Sequence, residues 1–216
     1  GELTDLAPTG RAAGTTVTVA DLFYNTPARR KYLKRDATEF GHVNRVVSRY
    51  ALANPDVAIS LTHDGREVFG TAGTGDRKET VLSVYGRDVA EAMRPVESEP
   101  EGPIEAISGL VSDPETNRSG REYVTTYVNG RYVRSDTLRS AILEAYGKQL
   151  AADRYPFAVL FLDVPPDSVD VNVHPRKLAV RFDADEGVSR QVRAAIEKTL
   201  LAEGLIRSRA PRGRSA

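Results

Sequence analysis

The sequence predicts a mixed α/β protein of one large or two small globular domains, and three observations carry that prediction. Two Asx-Gly pairs, Asp64-Gly65 and Asn129-Gly130, each lie between runs that alternate apolar and polar residues, which is a strong local signal for a β-hairpin. Between and after these runs, apolar residues recur at three- and four-residue steps, as on amphipathic helices. The composition, 40% hydrophobic and 28% charged over 216 residues, suits a chain that buries a real core.

Taken in order, "TTVTVADLF" (15–23) is β-branched and alternating and reads as a strand. Asn25 and Pro27 mark a turn and a helix start. From Ala28 to Ala53 the period is helical through Tyr32, Leu33, Phe40, Val43, Val46, Val47, Tyr50 and Ala51, with Thr38 a candidate cap if "RDATEF" splits the segment. Asn54-Pro55 ends it, and "VAISLTHDGREVFG" (57–70) follows as a hairpin. "TAGTGD" (71–76) reads as a flexible connection and "RKETVLSVYG" as a short helix closed by Gly86. Residues 96–103, "VESEPEGP", are acidic and hold proline and glycine, so a linker and domain boundary are placed there. Beyond it come a strand, "IEAISGLVSD", the Asn129-Gly130 hairpin, and a helix from Ser135 whose face holds Leu138, Ile142, Leu143 and Tyr146. "FAVLFLDV" (157–164) is apolar almost throughout, as a central strand buried on both faces is. A last helix covers "VSRQVRAAIEKTLLAEG", and residues 206–216 form a basic tail.

Thirty basic and thirty acidic side chains cancel, so no global field draws the chain to nucleic acid or membrane. With no cysteine, disulfides and thiolate metal sites are excluded. No apolar run approaches the roughly 20 residues of a membrane helix, and no membrane partner is expected. The single methionine is Met93 and the chain opens on a polar lead from Gly1, so a piece of a longer protein is expected.

Three stretches could carry chemistry. In "DVNVHPRKLAVRF" (170–182), Pro175 ends one strand's ladder and stiffens a turn, and Lys177 projects from it. Such a lysine is a point charge able to reach a terminal phosphate. On spacing alone, a solvated surface lysine is the better reading. His174 has no companion ligand at metal-binding spacing, since the other histidines, His42 and His63, are remote in sequence. "PARRKYLKR" gathers Arg29, Arg30, Lys31, Lys34 and Arg35 at a helix start, with Lys31, Lys34 and Arg35 close to one helical face. That patch could track a phosphate backbone or be a solvated face, and it opposes the helix dipole. Arg131 and Arg134 follow the second hairpin turn, beside Tyr127 and Tyr132, which suit either base stacking or sheet packing.

The long stretches "GTTVTVADLFYNTPARRKYLK", "YVNGRYVRS" and "VDVNVHPRKLAVRF" resemble, in order and spacing, the N-terminal region of the MutL family of DNA mismatch-repair ATPases. That resemblance implies a finer fold. Residues 1–95 would be the C-terminal part of a GHKL-type (Bergerat) ATPase α/β sandwich, 96–205 a domain like ribosomal protein S5 domain 2, and 206–216 a flexible tail. It also implies ATP and Mg2+ as cofactors of the intact parent, with none expected in this fragment and the fragment itself inactive. The family's upstream Glu-x-x-x-Asn helix, DxGxG loop and glycine-rich lid are absent from the sequence. Gly14 and Thr15 match the motif that holds the adenine end, and Lys177 matches the lysine that reaches the γ-phosphate. The implied partners are DNA, held without sequence preference through Arg29, Arg30, Lys31, Lys34, Arg131 and Arg134, mismatch-recognition and downstream repair proteins, and a second subunit in a homodimer or related heterodimer. A DNA-damage-response protein of the cytoplasm, nucleoid-associated, or of a eukaryotic nucleus, follows from the same likeness. One departure counts against DNA contact at the second hairpin: Asp136 stands where some relatives carry an arginine. A non-catalytic nucleic-acid-binding module and a lever for partner proteins remain as alternative readings.

Overall fold

The computed structural model describes Asp5, Gly10 and residues 13–98, 102–170 and 179–206. The chain divides into two compact units, 1–43 and 44–216.

In the first unit, residues 14–20 form no strand, although the sequence predicts one over 15–23. Val17 and Val19 are 79% and 70% exposed. A lone β-branched segment has no ladder to join, and no described strand pairs with this one. Helix α1 is a single turn, Pro27–Arg30, with the proline at its start. The expected helix from Ala28 to Ala53 is interrupted over 31–35 and resumes as α2, Asp36–Ala53. Thr38 lies inside α2 and is not its cap; Glu39 Oε1 accepts the Lys34 backbone N–H at 2.9 Å instead.

The second unit is built on a five-stranded sheet. Before it come the hairpin β1 (Ser60–His63) and β2 (Arg66–Gly70), turned at Asp64 and Gly65. Next are α3 (Arg77–Tyr85), capped by the Asp76 carboxylate on the Lys78 and Glu79 amides, and α4 (Arg87–Ala92), which the sequence pattern did not reveal. The loop 71–76 is tied down rather than flexible. Thr71 Oγ1 accepts from Ile59 N–H and donates to Val57 O, and Gly75 N–H donates to Pro55 O. A Cβ on Gly73 would meet the Ala58 nitrogen at 2.5 Å, so this close approach needs glycine.

The sheet strands are β3 (Met93–Ser98), β4 (Ala106–Ser112), β6 (Val124–Val128), β7 (Arg131–Val133) and β9 (Ala158–Asp163), in the order β3-β4-β9-β6-β7. Val96–Ser98, expected to open a linker, are instead the second half of edge strand β3, with Val96 fully buried against β4. Short β5 (Asn117–Arg118) pairs with β8 (Tyr155–Pro156), and β10 (Val169–Asp170) with β11 (Arg181–Phe182). Helix α5 (Asp136–Tyr146) is capped by Ser135, and α6 (Asp185–Ala202) packs beside it.

Burial on both sheet faces explains the apolar run of β9, the central strand. Ala158, Leu160 and Leu162 join the core under α5 and α6, while Val159 and Phe161 face the core shared with Leu52, Val81, Val89 and Met93. On that second face one row of aligned residues crosses five strands: Tyr132, Tyr127, Phe161, Ser108 and Glu97. Two arginines fasten helices to the row. Arg49 of α2 sits 4.2 Å over the Tyr132 ring, and Arg77 of α3 sits 4.3 Å over Phe161 while donating to Ser108 Oγ at 3.1 Å. The Tyr127 hydroxyl donates to the Arg49 carbonyl at 2.6 Å. The tyrosines of the second hairpin thus serve sheet packing.

Candidate functional site

The hairpin expected to carry Lys177 is described at its base. Val169 pairs with Phe182 and Asp170 with Arg181, and Asp183 N–H donates to the Ser168 carbonyl. Phe182 is buried in the core beneath α5 and α6, and Val169 and Val180 pack against that core. Residues 171–178, with His174, Pro175 and Lys177, lie outside the described residues.

The chain reaches this base by a short, stiff path. Strand β9 ends at Asp163, and the buried Val164 follows. Pro165 and Pro166 then lead into a 3-10 turn, Pro166–Ser168, in which Ser168 donates to the Pro165 carbonyl from both its amide and its hydroxyl. Two prolines leave this arm few conformations. At its root stands Asn129, the first residue of the second hairpin turn, at φ +48° with Gly130 at +74°. Asn129 Nδ2 donates to the Val164 carbonyl at 3.0 Å, and its Oδ1 accepts the Val164 N–H at 2.9 Å. Its own amide donates to the Leu162 carbonyl. The sequence marked Asn129 only as a turn former; nothing local in its pattern announces a clasp on a residue 35 positions away.

Gly14 and Thr15 belong to the first unit and are exposed. Arg29, Arg30, Lys31 and Lys34 are exposed too, but the single-face reading fails: α1 ends at Arg30, so Lys31 and Lys34 share no helix with Arg35. Arg29 and Arg30 lie in the last turn of α1, where positive charge suits the dipole rather than opposing it. Arg131 opens β7 and Arg134 follows it, its Nε donating to the Tyr132 hydroxyl at 3.3 Å. Among the described residues none of these six cations pairs with a carboxylate. Asp136 begins α5 and holds Arg139 at 2.7 Å.

Burial pushes the Tyr85 hydroxyl up to about 12 and raises those of Tyr127 and Tyr146 further. Two of these hydroxyls are structural donors, Tyr127 to the Arg49 carbonyl and Tyr146 to the Ser112 carbonyl, each at 2.6 Å. Two cavities, of about 360 and about 490 Å3, flank α6, and no residue singled out from the sequence lines either. Among the described residues no group of three or more His, Cys, Asp or Glu side chains could hold a metal ion. No described helix is long and apolar enough to cross a membrane.

The MutL mismatch-repair protein of Halobacterium salinarum is 61% identical over all of this chain, which covers 32% of that protein. A family model described as "DNA mismatch repair protein, C-terminal domain" matches residues 81–201, more than half of the chain. The chain belongs to the MutL family of DNA mismatch repair proteins. A MutL of Shouchella clausii is 42% identical over 95% of the chain and 31% of its own length. The chain thus spans about a third of the length of these MutL relatives. Among solved structures, the N-terminal domain of a DNA repair protein superposes with a TM-score of 0.69 at 22% identity, covering 86% of this chain and 61% of that one, a likeness of fold. The Aquifex aeolicus MutL ATPase domain complexed with ADP superposes at 0.52 with 27% identity, over 68% of this chain and 52% of that one. The mixed α/β class read from the sequence agrees with both.

Proposed function

We propose that this chain is part of an ATP-hydrolysing MutL protein in which residues 1–95 complete a GHKL-type nucleotide-binding domain and 96–205 form an S5-like domain that answers the nucleotide's state. The functional division then falls inside the compact unit 44–216. Lys177 is the residue through which the second domain meets the nucleotide: its ammonium neutralises charge on the γ-phosphate, a large term in phosphoryl transfer. Thr15, with Gly14, contributes hydrogen bonds at the adenine end. The observation that best supports this is the base of the β10–β11 hairpin, seated on buried Phe182 and fed by the proline arm, since a phosphate-reaching lysine needs fixed footing.

In the parent, ATP binding would draw two N-terminal halves together on DNA and present the closed form to repair partners. DNA is held by its phosphates, and the exposed Arg29, Arg30, Lys31, Lys34, Arg131 and Arg134 are the candidate contacts. The parent then works in the cytoplasm at the nucleoid, or in a nucleus. The isolated chain is expected to bind ATP weakly and to hydrolyse none.

The decisive experiment is Lys177→Ala in the full-length protein, with ATP turnover measured at saturating ATP. A loss of about 100-fold in kcat is expected if the lysine stabilises the transferring phosphoryl group; unchanged turnover refutes the assignment. For DNA, replacing Arg29, Arg30 and Lys34 by alanine should flatten the dependence of log affinity on log salt by about 0.9 for each phosphate no longer neutralised. An unchanged slope and affinity would place the DNA surface elsewhere.

A further inference from the structure

The short strands β5 and β8 pair Asn117 with Pro156 and Arg118 with Tyr155. Two arginines converge there on one carbonyl. Arg118 Nη1 donates to the Asn117 carbonyl oxygen at 3.0 Å, and Arg154 Nη2 donates to the same oxygen at 3.1 Å. The two nitrogens therefore lie within about 6 Å of each other. Arg154 Nε also donates to Asn117 Oδ1, which fixes the plane of its guanidinium. The Arg118 guanidinium lies 5.2 Å from the centre of the buried Phe157 ring. Arg121 stands exposed three residues on, at the start of a 3-10 turn, Arg121–Tyr123, that leads into β6.

Among the described residues, none of Arg118, Arg121 and Arg154 pairs with a carboxylate. Half-buried Arg154 is the exception among its kind: Arg94, Arg139 and Arg193 face carboxylates, and Arg49 and Arg77 lie over rings. Fastening β5 to β8 does not explain the pair. Arg154 does that alone, whereas Arg118 bonds the carbonyl of its own neighbour and ties no two elements together. Its presence adds repulsion between like charges, and most N–H donors of the two guanidiniums have no partner among the described residues. We propose that Arg118 and Arg154, held on Asn117, form a binding site for one phosphate of a nucleic-acid backbone, with Arg121 beside it. The proposal rests on the reading that the parent holds DNA by its phosphates. A protein carboxylate pairs face to face with one guanidinium and would leave the other uncompensated, whereas a phosphodiester offers an oxygen to each. The site is separate from the six cations named above. It precedes β6, while Arg131 and Arg134 follow the turn at that strand's other end, about 17 Å away for a strand of five residues.

The test is the salt dependence of DNA binding by the full-length protein, read from the anisotropy of a fluorescent duplex of about 30 base pairs across a range of NaCl concentrations. Arg118→Gln should lower affinity by about fivefold to tenfold and flatten the plot of log affinity against log salt by about 0.9, the loss of one phosphate contact. Arg118→Lys should keep the slope, because the charge remains, and lose part of the affinity, because the fork is gone. Arg118→Gln with Arg154→Gln should cost less than the product of the two single losses, since both side chains serve one phosphate.

Each outcome decides. Unchanged affinity and slope in Arg118→Gln, while the wild-type protein binds the duplex, overturn the proposal and leave the DNA reading standing. Equal losses from Arg118→Gln and Arg118→Lys at an unchanged slope make the residue purely structural, and the proposal fails. It fails too if Arg118→Gln binds DNA normally but no longer binds a polyglutamate peptide that the wild type holds, since the site then takes carboxylates. If the wild-type protein binds no duplex, the DNA reading itself fails and the proposal falls with it. Should Arg118→Gln not fold, Asn117→Asp keeps both arginines and gives them an internal anion. It should flatten the slope by about as much, and an unchanged slope there overturns the proposal.

Discussion

Replacing Gly109 by alanine tests the sheet on which the hairpin hangs. Gly109 lies in the middle of β4, opposite Val96 on one side and Leu160 on the other. Its φ is +145°, and a Cβ built there would sit 2.1 Å from the Val159 carbonyl oxygen and 3.0 Å from the Leu160 Cα. Ordinary contact begins near 3.4 Å, so the new methyl falls more than an ångström short of it. Both obstructing atoms are backbone, so no rotamer change relieves the clash and β4 must move away from β9. Overpacking of this kind costs about 1–3 kcal/mol, and the left-handed backbone adds about 1–2 kcal/mol. The sum of roughly 2–5 kcal/mol corresponds to a Tm lower by roughly 5–20 °C for a chain of this size. Urea denaturation of this chain and of Gly109→Ala, followed by circular dichroism, measures it directly. A loss below about 1 kcal/mol would mean that β4 and β9 do not approach at Gly109 as described.

Two further outcomes follow from buried rings. Truncating Phe182 to alanine removes the anchor beneath β11 and should destabilise by about 3–5 kcal/mol; in the full-length protein, kept below its melting range, it should also lower ATP turnover in the wild-type but not in the Lys177→Ala background. Alkaline stability should fall above pH 10. Tyr85, Tyr127 and Tyr146 have hydroxyls raised by burial, so their folded pKa values exceed the unfolded value of 10.0. The neutral form is the one the fold prefers; its contribution is intact below pH 10 and is lost as the pH climbs toward about 12 for Tyr85 and beyond for the others. Each loses up to about 1.4 kcal/mol per pH unit in that window. Denaturation midpoints at pH 9, 10 and 11 check this, and Tyr146→Phe should flatten the decline; a flat profile in the parent chain would contradict the burial of these hydroxyls.

What the sequence disclosed depended on whether the cause was local. Asp64-Gly65 and Asn129-Gly130 make turns because their own backbones accept positive φ, and both hairpins appear where the pairs stand. The nearly continuous apolar run of 157–164 is central because only a doubly covered strand tolerates it. Elsewhere the cause was remote. The alternation of 15–19 is that of a strand, but a strand needs a neighbour, and no described residue supplies one. The helical period through Val43, Val46 and Tyr50 is genuine, yet all three are exposed, and α2 buries Ser48, Ala51 and Leu52 instead. Residues 71–76 have a loop's composition but are held by Pro55, Val57 and Ile59, partners that no window of sequence contains. Acidic, proline-bearing 96–103 looked like a linker, but Val96 pairs with Gly109 of β4 and sits in the core. The candidate site divides the same way: the charged residues could be named from pattern, whereas the clasp of Asn129 on Val164 exists only once β6 and β9 lie side by side.

The two faces of the sheet bear differently on the proposed role of Lys177. Beneath α5 and α6 the core holds Val164, Val169 and Phe182, so the hairpin's footing belongs to the sheet rather than to a separate flap. On the other face, Arg49 and Arg77 grip the Tyr132–Tyr127–Phe161–Ser108 row, tying the second half of α2 and all of α3 to the same strands. Half-buried cation–ring interactions of this kind hold by roughly 1 kcal/mol each, and the apolar burial of Leu52, Val81 and Met93 adds to them. Moving β10 and β11 relative to the second half of α2 and to α3 would thus require breaking either this row or the clasp and proline arm. Both are backed by buried cores; the clasp itself is two hydrogen bonds between exposed Asn129 and buried Val164, each worth about 1 kcal/mol.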